Sequence, residues 1–271
     1  MRLRVEHTTH YAFEQPVARG LQRLRLTPKA TQGQQVLNWT MRFEGAQAEV
    51  EYDDHNHNHV TLVSALPGTR EVTVHCEGLI ATADNAGVIG HHSGHMPLWS
   101  FLSQSALTRP GPKMRAILGQ LDVPRSESVA LLHRLSALVL DNVAYTRGET
   151  DVRTSAEEAA ALGMGVCQDH AHIFIGAARA LGIPARYVSG YLLMSDRTEQ
   201  EATHAWAEAH VEGLGWVGFD VSNGKSPDEH YVRVATGRDY REAAPITSMS
   251  WGAGGSRLAV RLAVEQQTSE Q

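Results

Sequence analysis

The apolar residues change their period twice along the chain, and this limits the folds it can adopt. Through the first 80 residues, short runs alternate with period two: RLRVEHTTHYAF, GLQRLRLTP, QQVLNWTMRFEG, NHVTLVSAL and REVTVHCEGLI. Turn formers such as Pro16, Gly20, Pro28, Gly33, Gly45 and Pro67 punctuate them. Alternation turns one face of each run inward, so the spacing predicts an antiparallel sandwich or barrel. Helical spacing takes over near Pro124, with Val129, Leu132, Leu135 and Val139 in line and Leu131 and Leu138 widening the stripe. Ser126 is the expected N-cap. In TSAEEAAALG, Ser155 precedes Glu158 by three residues, a capping box, and Gly163 is the stop. A third helix is expected from Val166 to Leu181, ended by Gly182-Ile183-Pro184. Strand-like runs then return in ARYVSGYLLMS, THAWAEAHVE, GWVGFDVS, YVRVA and SRLAVRLAVE. Helices followed by antiparallel strands predict an α+β class, with helices packed on an antiparallel sheet.

Three regions follow: a β-rich N-terminal domain over 1–82, a Gly- and His-rich linker with short helices over 83–123, and a core with C-terminal strands over 124–271. The 271 residues suffice for one large domain or two ordinary ones. A net charge of −6 argues against a nucleic-acid or anionic-membrane partner, since both need a basic excess. MRLRVEHTTHYAF lacks the apolar run of a signal peptide, and no stretch approaches the length of a membrane span. Cys76 and Cys167 are the only cysteines and form no disulfide framework, which makes a reducing cytoplasm the simplest compartment.

Cys167 falls where a loop becomes a helix, in GVCQDHAHIF. First-turn amides of a helix point outward with partial positive charge, so a thiol placed there ionises more easily. The same amides can donate to an oxyanion formed at a carbonyl under attack. The placement suits acyl transfer, although a packed structural cysteine fits this segment equally well. A working thiolate also needs a proton acceptor and an orienting group. His204 and Asp220, on the two strands after the helix, offer both. A two-residue hairpin loop would point them to opposite faces. A three-residue loop of 212–214 sets 211 against 215 and 206 against 220, making His204 and Asp220 diagonal neighbours on one face. Such a loop favours a left-handed glycine, which Gly213 or Gly215 supplies, and this register is the expectation.

These blocks, GVCQDHAHIFIGAARALGIPARYVSGYL and THAWAEAHVEGLGWVGFDVSNG, resemble the core of the transglutaminase-like superfamily over about residues 141–224. LRLTP and DDHNHNHV in the first 80 residues, and GRDYREAAPI near the end, are similar to its bacterial branch. The resemblance implies a papain-like triad: Cys167 as nucleophile, His204 as general base and acid, Asp220 as orienting acid. It implies acyl transfer on a peptide or protein amide through a thioester, resolved by water or by an amine. Hydrolysis of the peptidase or amidase type is preferred; cross-linking by amine transfer and a catalytically silent binding module on the same fold are the alternatives. Val221 stands where the family usually has proline, and His170 where it often has an aromatic. Animal members of the wider family use calcium, but no D-x-D-x-D-G loop with a closing Glu is present, so no cofactor or metal is expected.

Other residues carry rival readings. His170 lies one helical turn from Cys167 and could be the base; as a wall or packing residue it needs no chemistry. His172 should face the interior, and Asp169 should complement the helix dipole. His55, His57 and His59 would share a face if extended, a zinc-like spacing that a polar turn also explains. His91, His92 and His95 sit in a Gly-rich loop. Cys167 has no second cysteine at metal-binding distance in sequence. Trp206 shares a strand face with His204 and could shield a His–Asp pair, and Tyr145 is a candidate wall residue or oxyanion donor. The N-terminal β region should shape the cleft or a homo-oligomer interface.

Overall fold

The computed structural model describes residues 1–194, 198–200, 202–251 and 255–267. The N-terminal runs form β1 (Arg2–Phe13), β2 (Arg19–Leu24), β3 (Gln34–Glu44), β4 (Ala46–Asp53), β5 (His59–Ala65) and β6 (Glu71–Thr82). β4 was not among the expected strands. Its AQAEVEYD segment does alternate, with Ala46, Ala48, Val50 and Tyr52 apolar between polar residues, but the apolar side chains are small or exposed and the strand buries little on either face.

The middle of the chain supplies β7 (Val88–Gly90), α1 (Pro112–Leu118), α2 (Ser128–Asn142), β8 (Ala144–Tyr145), α3 (Ala156–Leu162), β9 (Met164–Gly165) and α4 (Cys167–Ala180). The remainder supplies β10 (Ala185–Leu192), β11 (Glu199–Gln200), β12 (His204–Val211), β13 (Gly215–Phe219), β14 (Tyr231–Gly237), α5 (Tyr240–Ala243), β15 (Ile246–Trp251) and β16 (Ser256–Gln266).

Among the described residues, three antiparallel sheets of four or five strands organise these elements. The core sheet runs β14-β10-β12-β13-β7. α4 packs on it, and Phe174, Ala178, Tyr187, Ala207 and Phe219 meet in the main apolar core with Leu132, Leu135 and Val139 of α2. The α+β expectation holds, and the helix boundaries follow from their end signals. Ser155 caps α3 in a full capping box with Glu158, and Gly163 ends it in the left-handed region. α2 departs from the expectation: its N-cap is Glu127, with no side-chain cap bond, in place of Ser126.

The other two sheets run β11-β16-β1-β6-β3 and β15-β2-β5-β4. Leu24, Val63, Val74 and Cys76 fill the space between them. Of the strands grouped with the core over 124–271, β14 joins the core sheet, whereas β15 and β16 join these other two sheets. β16 pairs with β1 along its length, and β15 pairs with β2. The alternation of Leu262 and Val264 needs a sheet with one inner face, and β1 provides it. The stretch from 83 is likewise more than a linker. β7 forms the edge of the core sheet, and Met114 and Ile117 of α1 enter the main core.

Arg179, buried at the end of α4, ties the middle segment down. Its guanidinium donates to Phe101 O, Thr108 Oγ1, Ala185 O and Arg238 O at 2.6–3.2 Å. A buried guanidinium is tolerated where its donors are satisfied in this way.

Candidate active site

Cys167 is the first residue of α4 and is partly exposed. The turn before it is held by Asp169, whose Oδ2 accepts from Val166 N at 2.8 Å and from Thr150 Oγ1 at 2.7 Å. Asp169 therefore does more than complement the helix dipole: it closes the N-terminal turn and fastens it to the loop at 150. Gly165 is required beneath it, since a Cβ there would lie 2.8 Å from Asp169 Cβ. With the helix N-terminus fixed, the first-turn amides at Cys167 and Gln168 have no intrahelical acceptor.

The β12–β13 hairpin has Val211 opposite Gly215 and Ala207 opposite Phe219. This is the register of a three-residue loop. Gly213 and Gly215 both have φ near +80°, which explains the glycines at the turn. Asp220, one residue past β13, becomes the diagonal neighbour of His204. His204 Nε2 donates to Asp220 Oδ2 at 2.6 Å, with both side chains buried.

Asp220 is itself heavily supported. Its Oδ2 also accepts from Asn223 Nδ2 at 2.6 Å and from Tyr231 Oη at 2.7 Å. Its backbone pairs with Lys225 in a tight turn. Burial opposes its charged form, but the His204 bond and charge and the Asn223 and Tyr231 bonds prevail and hold its carboxyl below the usual range. For His204, burial again disfavours charge. The bond to Asp220 and its negative charge, with Cys167 on the other side of the ring, outweigh it and raise its pKa to about 10. Cys167 and Asp220 thus address the same imidazole; with Nε2 on Asp220, Nδ1 is left for the thiol.

Trp206 stacks on His204 with ring centroids 6.2 Å apart, and Tyr231 meets Trp206 edge-on at 5.4 Å. Both rings are buried, so they cover the His204–Asp220 pair from solvent. Asn223 and Tyr231 were not singled out from sequence. Asn223 could have been: an Asn three residues after an Asp is a local turn signal. Tyr231 could not, because only the pairing of β14 with β10 brings it to the site.

The cleft above Cys167 and His204 has a volume of about 1180 Å³. One wall belongs to the N-terminal sheet system, with Glu6 and Thr8 from β1 and Ala259 to Ala263 from β16. Tyr145, half exposed, lines the cleft with Arg147 on the other side. The N-terminal β region therefore shapes the cleft.

The rival residues fall elsewhere. His170 is buried with both ring nitrogens engaged, Nδ1 with Ser222 Oγ and Nε2 with Val143 O, each at 2.9 Å. It has no nitrogen left for Cys167. His172 is interior: Nε2 accepts from Tyr240 N at 3.1 Å, Nδ1 has no partner among the described residues, and burial beside Arg179 lowers its pKa to about 3. His55, His57 and His59 do not share a strand face, because the segment turns and His57 has φ of 56°. Asp54 organises that turn by accepting from Asn56 N and Asn58 N. In the Gly-rich loop, His92 accepts from the Trp216 indole at 3.1 Å and bonds Met96 O at 2.6 Å. Cys76 is sealed in the sandwich, where burial pushes its thiol up to about 12. Among the described residues, no helix is long and apolar enough to cross a membrane.

Comparison with known proteins agrees with this architecture. Over the full length, the chain is 29% identical to an uncharacterised protein of Mycobacterium leprae, with 96% of each chain covered. It is 33% identical over 134 residues to uncharacterised proteins of Mycobacterium bovis and Mycobacterium tuberculosis, a match spanning 46% of this chain and 43% of theirs. The fold is similar to that of a crystal structure from Cytophaga hutchinsonii described as a candidate cysteine protease. That match has a TM-score of 0.76 and 22% identity, covering 100% of this chain and 92% of the other. Residues 3–81 match the bacterial transglutaminase-like N-terminal region. Residues 116–221, which hold Cys167, His204 and Asp220, match the transglutaminase-like superfamily profile, and the chain belongs to that superfamily.

Proposed function

We infer that the protein is a thiol-dependent amide hydrolase, with Cys167 as nucleophile, His204 as base and acid, and Asp220 as orienting group. The observation that carries this reading is the single imidazole shared by Cys167 and Asp220 at the floor of an open cleft. Asp220 fixes the ring and favours its charged form, the task of the third member of a triad. The similar Cytophaga fold, described as a candidate cysteine protease, is consistent with it.

In the proposed cycle, the Cys167 proton already rests on His204, and the thiolate sulfur attacks the substrate carbonyl carbon. The oxyanion forms against the first-turn amides of α4. His204 returns the proton to the leaving nitrogen as the C–N bond breaks, leaving a thioester. Water then attacks, His204 takes its proton, and the C–S bond breaks to release the acid. The cleft has room for a peptide segment, and the substrate class proposed is a peptide or protein amide.

The test is turnover of a broad peptide library, read as new amine termini and as released ammonia, with and without an added primary amine. Hydrolysis that vanishes in Cys167→Ala supports the reading. Amine incorporation exceeding hydrolysis replaces it with transamidation. Absence of turnover together with absence of thiol labelling replaces it with a binding module.

A further inference from the structure

A second cavity, of about 330 Å³, lies between the N-terminal β region and the core sheet, away from Cys167. Lys29 reaches it from the N-terminal region, and Arg186 of β10 and Arg233 of β14 from the core. All three are at least nine-tenths buried. The buried acid among them is Glu208 of β12, which accepts from Arg186 Nε at 2.7 Å and from Arg233 Nε and Nη2 at 2.6 and 3.0 Å. The next carboxylate inward, Asp54, is already paired with Arg25 at 3.1 Å. Asp53, at the exposed rim, is paired with His59 at 3.1 Å.

Glu208 thus pairs with two guanidinium groups, and Lys29 beside them meets no carboxylate at ion-pair distance among the described residues. Both terminal nitrogens of Arg186, and Nη1 of Arg233, meet no acceptor among the described residues. Arg186 is held in place by Trp216, 3.9 Å beneath its guanidinium. Lys29 Nζ donates to Asn56 O at 2.8 Å and His57 O at 2.7 Å, which leaves one ammonium proton unused. Burying unmatched positive charge is costly, and proteins normally pair it. Burial and the proximity of Arg233 and Arg186 lower Lys29 to about 6, so the cluster repels its own third cation.

We propose that this cavity binds a small dianionic oxyanion, phosphate or a phosphomonoester, between Lys29, Arg186 and Arg233. The two free terminal nitrogens of Arg186, the one of Arg233 and the Lys29 amine approaching from a different element suit a tetrahedral oxyanion. The volume is that of a small-ligand site. His57 and His91 stand at the mouth, where an organic substituent would emerge. The bound anion would join the two parts of the molecule, since Lys29 belongs to one and the arginines to the other.

The experiment is calorimetric titration of the full chain with inorganic phosphate and with phenyl phosphate, at constant ionic strength held with chloride. One saturable site is expected, retained in Cys167→Ala and weakened about tenfold or more in Arg186→Met and in Lys29→Met. Arg186→Met keeps the contact with Trp216 and leaves Glu208 paired with Arg233. NMR of the wild type locates the site without a variant, because the His57 and His91 imidazole signals should move saturably while that of His204 stays. Tighter binding of phenyl phosphate identifies a phosphomonoester; its exclusion identifies free phosphate. Absence of saturable binding up to about 20 mM overturns the proposal, as does binding that leaves His57 and His91 unmoved.

Discussion

His204 Nε2 donates to Asp220 Oδ2 at 2.6 Å across a hairpin in which Val211 faces Gly215. A shift of that pairing by one residue would send the two side chains to opposite faces of the sheet. The hairpin loop therefore decides whether the imidazole has its partner.

The first prediction concerns the thiol. An ordinary cysteine alkylates appreciably only near its pKa of about 8.5. If His204 holds Cys167 as an ion pair, wild-type labelling at about pH 6 should be fast, and His204→Ala should abolish this component. Slow labelling at that pH, the same in both proteins, would mean that the pair is not assembled in the free protein.

Loss of Asp220 should cost more than loss of either of its supports. Asp220→Ala removes orientation and charge together, and amide turnover should fall about 100- to 10,000-fold. Tyr231→Phe and Asn223→Ala each remove one of three donors to Oδ2 and should have smaller effects, about tenfold or less. Steady-state rates on one peptide substrate rank the three. Equal losses would contradict a role for Asp220 beyond packing.

His204 also ties stability to pH. Its folded pKa is raised from 6.5 to about 10, against burial, by Asp220 and Cys167. The resulting stabilisation is complete below pH 6.5 and is lost as pH rises towards 10. The stability difference between wild type and His204→Gln, from urea unfolding, should therefore shrink across that range. A difference independent of pH would show that His204 is not charged in the folded protein.

Glu208 should behave in the opposite sense. Burial opposes its charge, but Arg233 and Arg186 hold it down at about 2, from 4.5. Its contribution is present above pH 4.5 and fades as pH falls towards 2. Glu208→Gln strands two buried guanidinium groups and should destabilise by about 3–5 kcal/mol at neutral pH. Chemical denaturation checks this, and a change within error would mean that the arginines find other partners.

The buried His170 separates packing from chemistry. His170→Ala should lower stability by about 1–3 kcal/mol, because it leaves Ser222 and Val143 O without a partner. It should leave labelling of Cys167 at about pH 6 intact. Loss of that labelling in a folded variant would make His170 part of the proton path.

Much of the site was legible in the sequence because its signals are local. The position of Cys167 at a helix start follows from apolar spacing and the preceding glycines, and the α3 boundaries follow from Ser155, Glu158 and Gly163. The hairpin register could be derived on paper because loop length and a left-handed glycine set it. The α2 cap was misplaced because a serine near a helix start is only a propensity, and the backbone there enters at Glu127.

What the sequence alone determined is the order of the longer helices and most strands, the place of Cys167 at a helix start, and the register that puts His204 and Asp220 on one face, since these depend on neighbours within a few residues. The tertiary structure alone decided that β16 returns to β1 and makes a wall of the cleft. It also brought Tyr231 to Asp220 and gathered Lys29, Arg186 and Arg233 around Glu208. Those contacts join residues far apart in the chain, and no local period encodes them. They follow from which sheet faces can be buried against one another once every strand has formed.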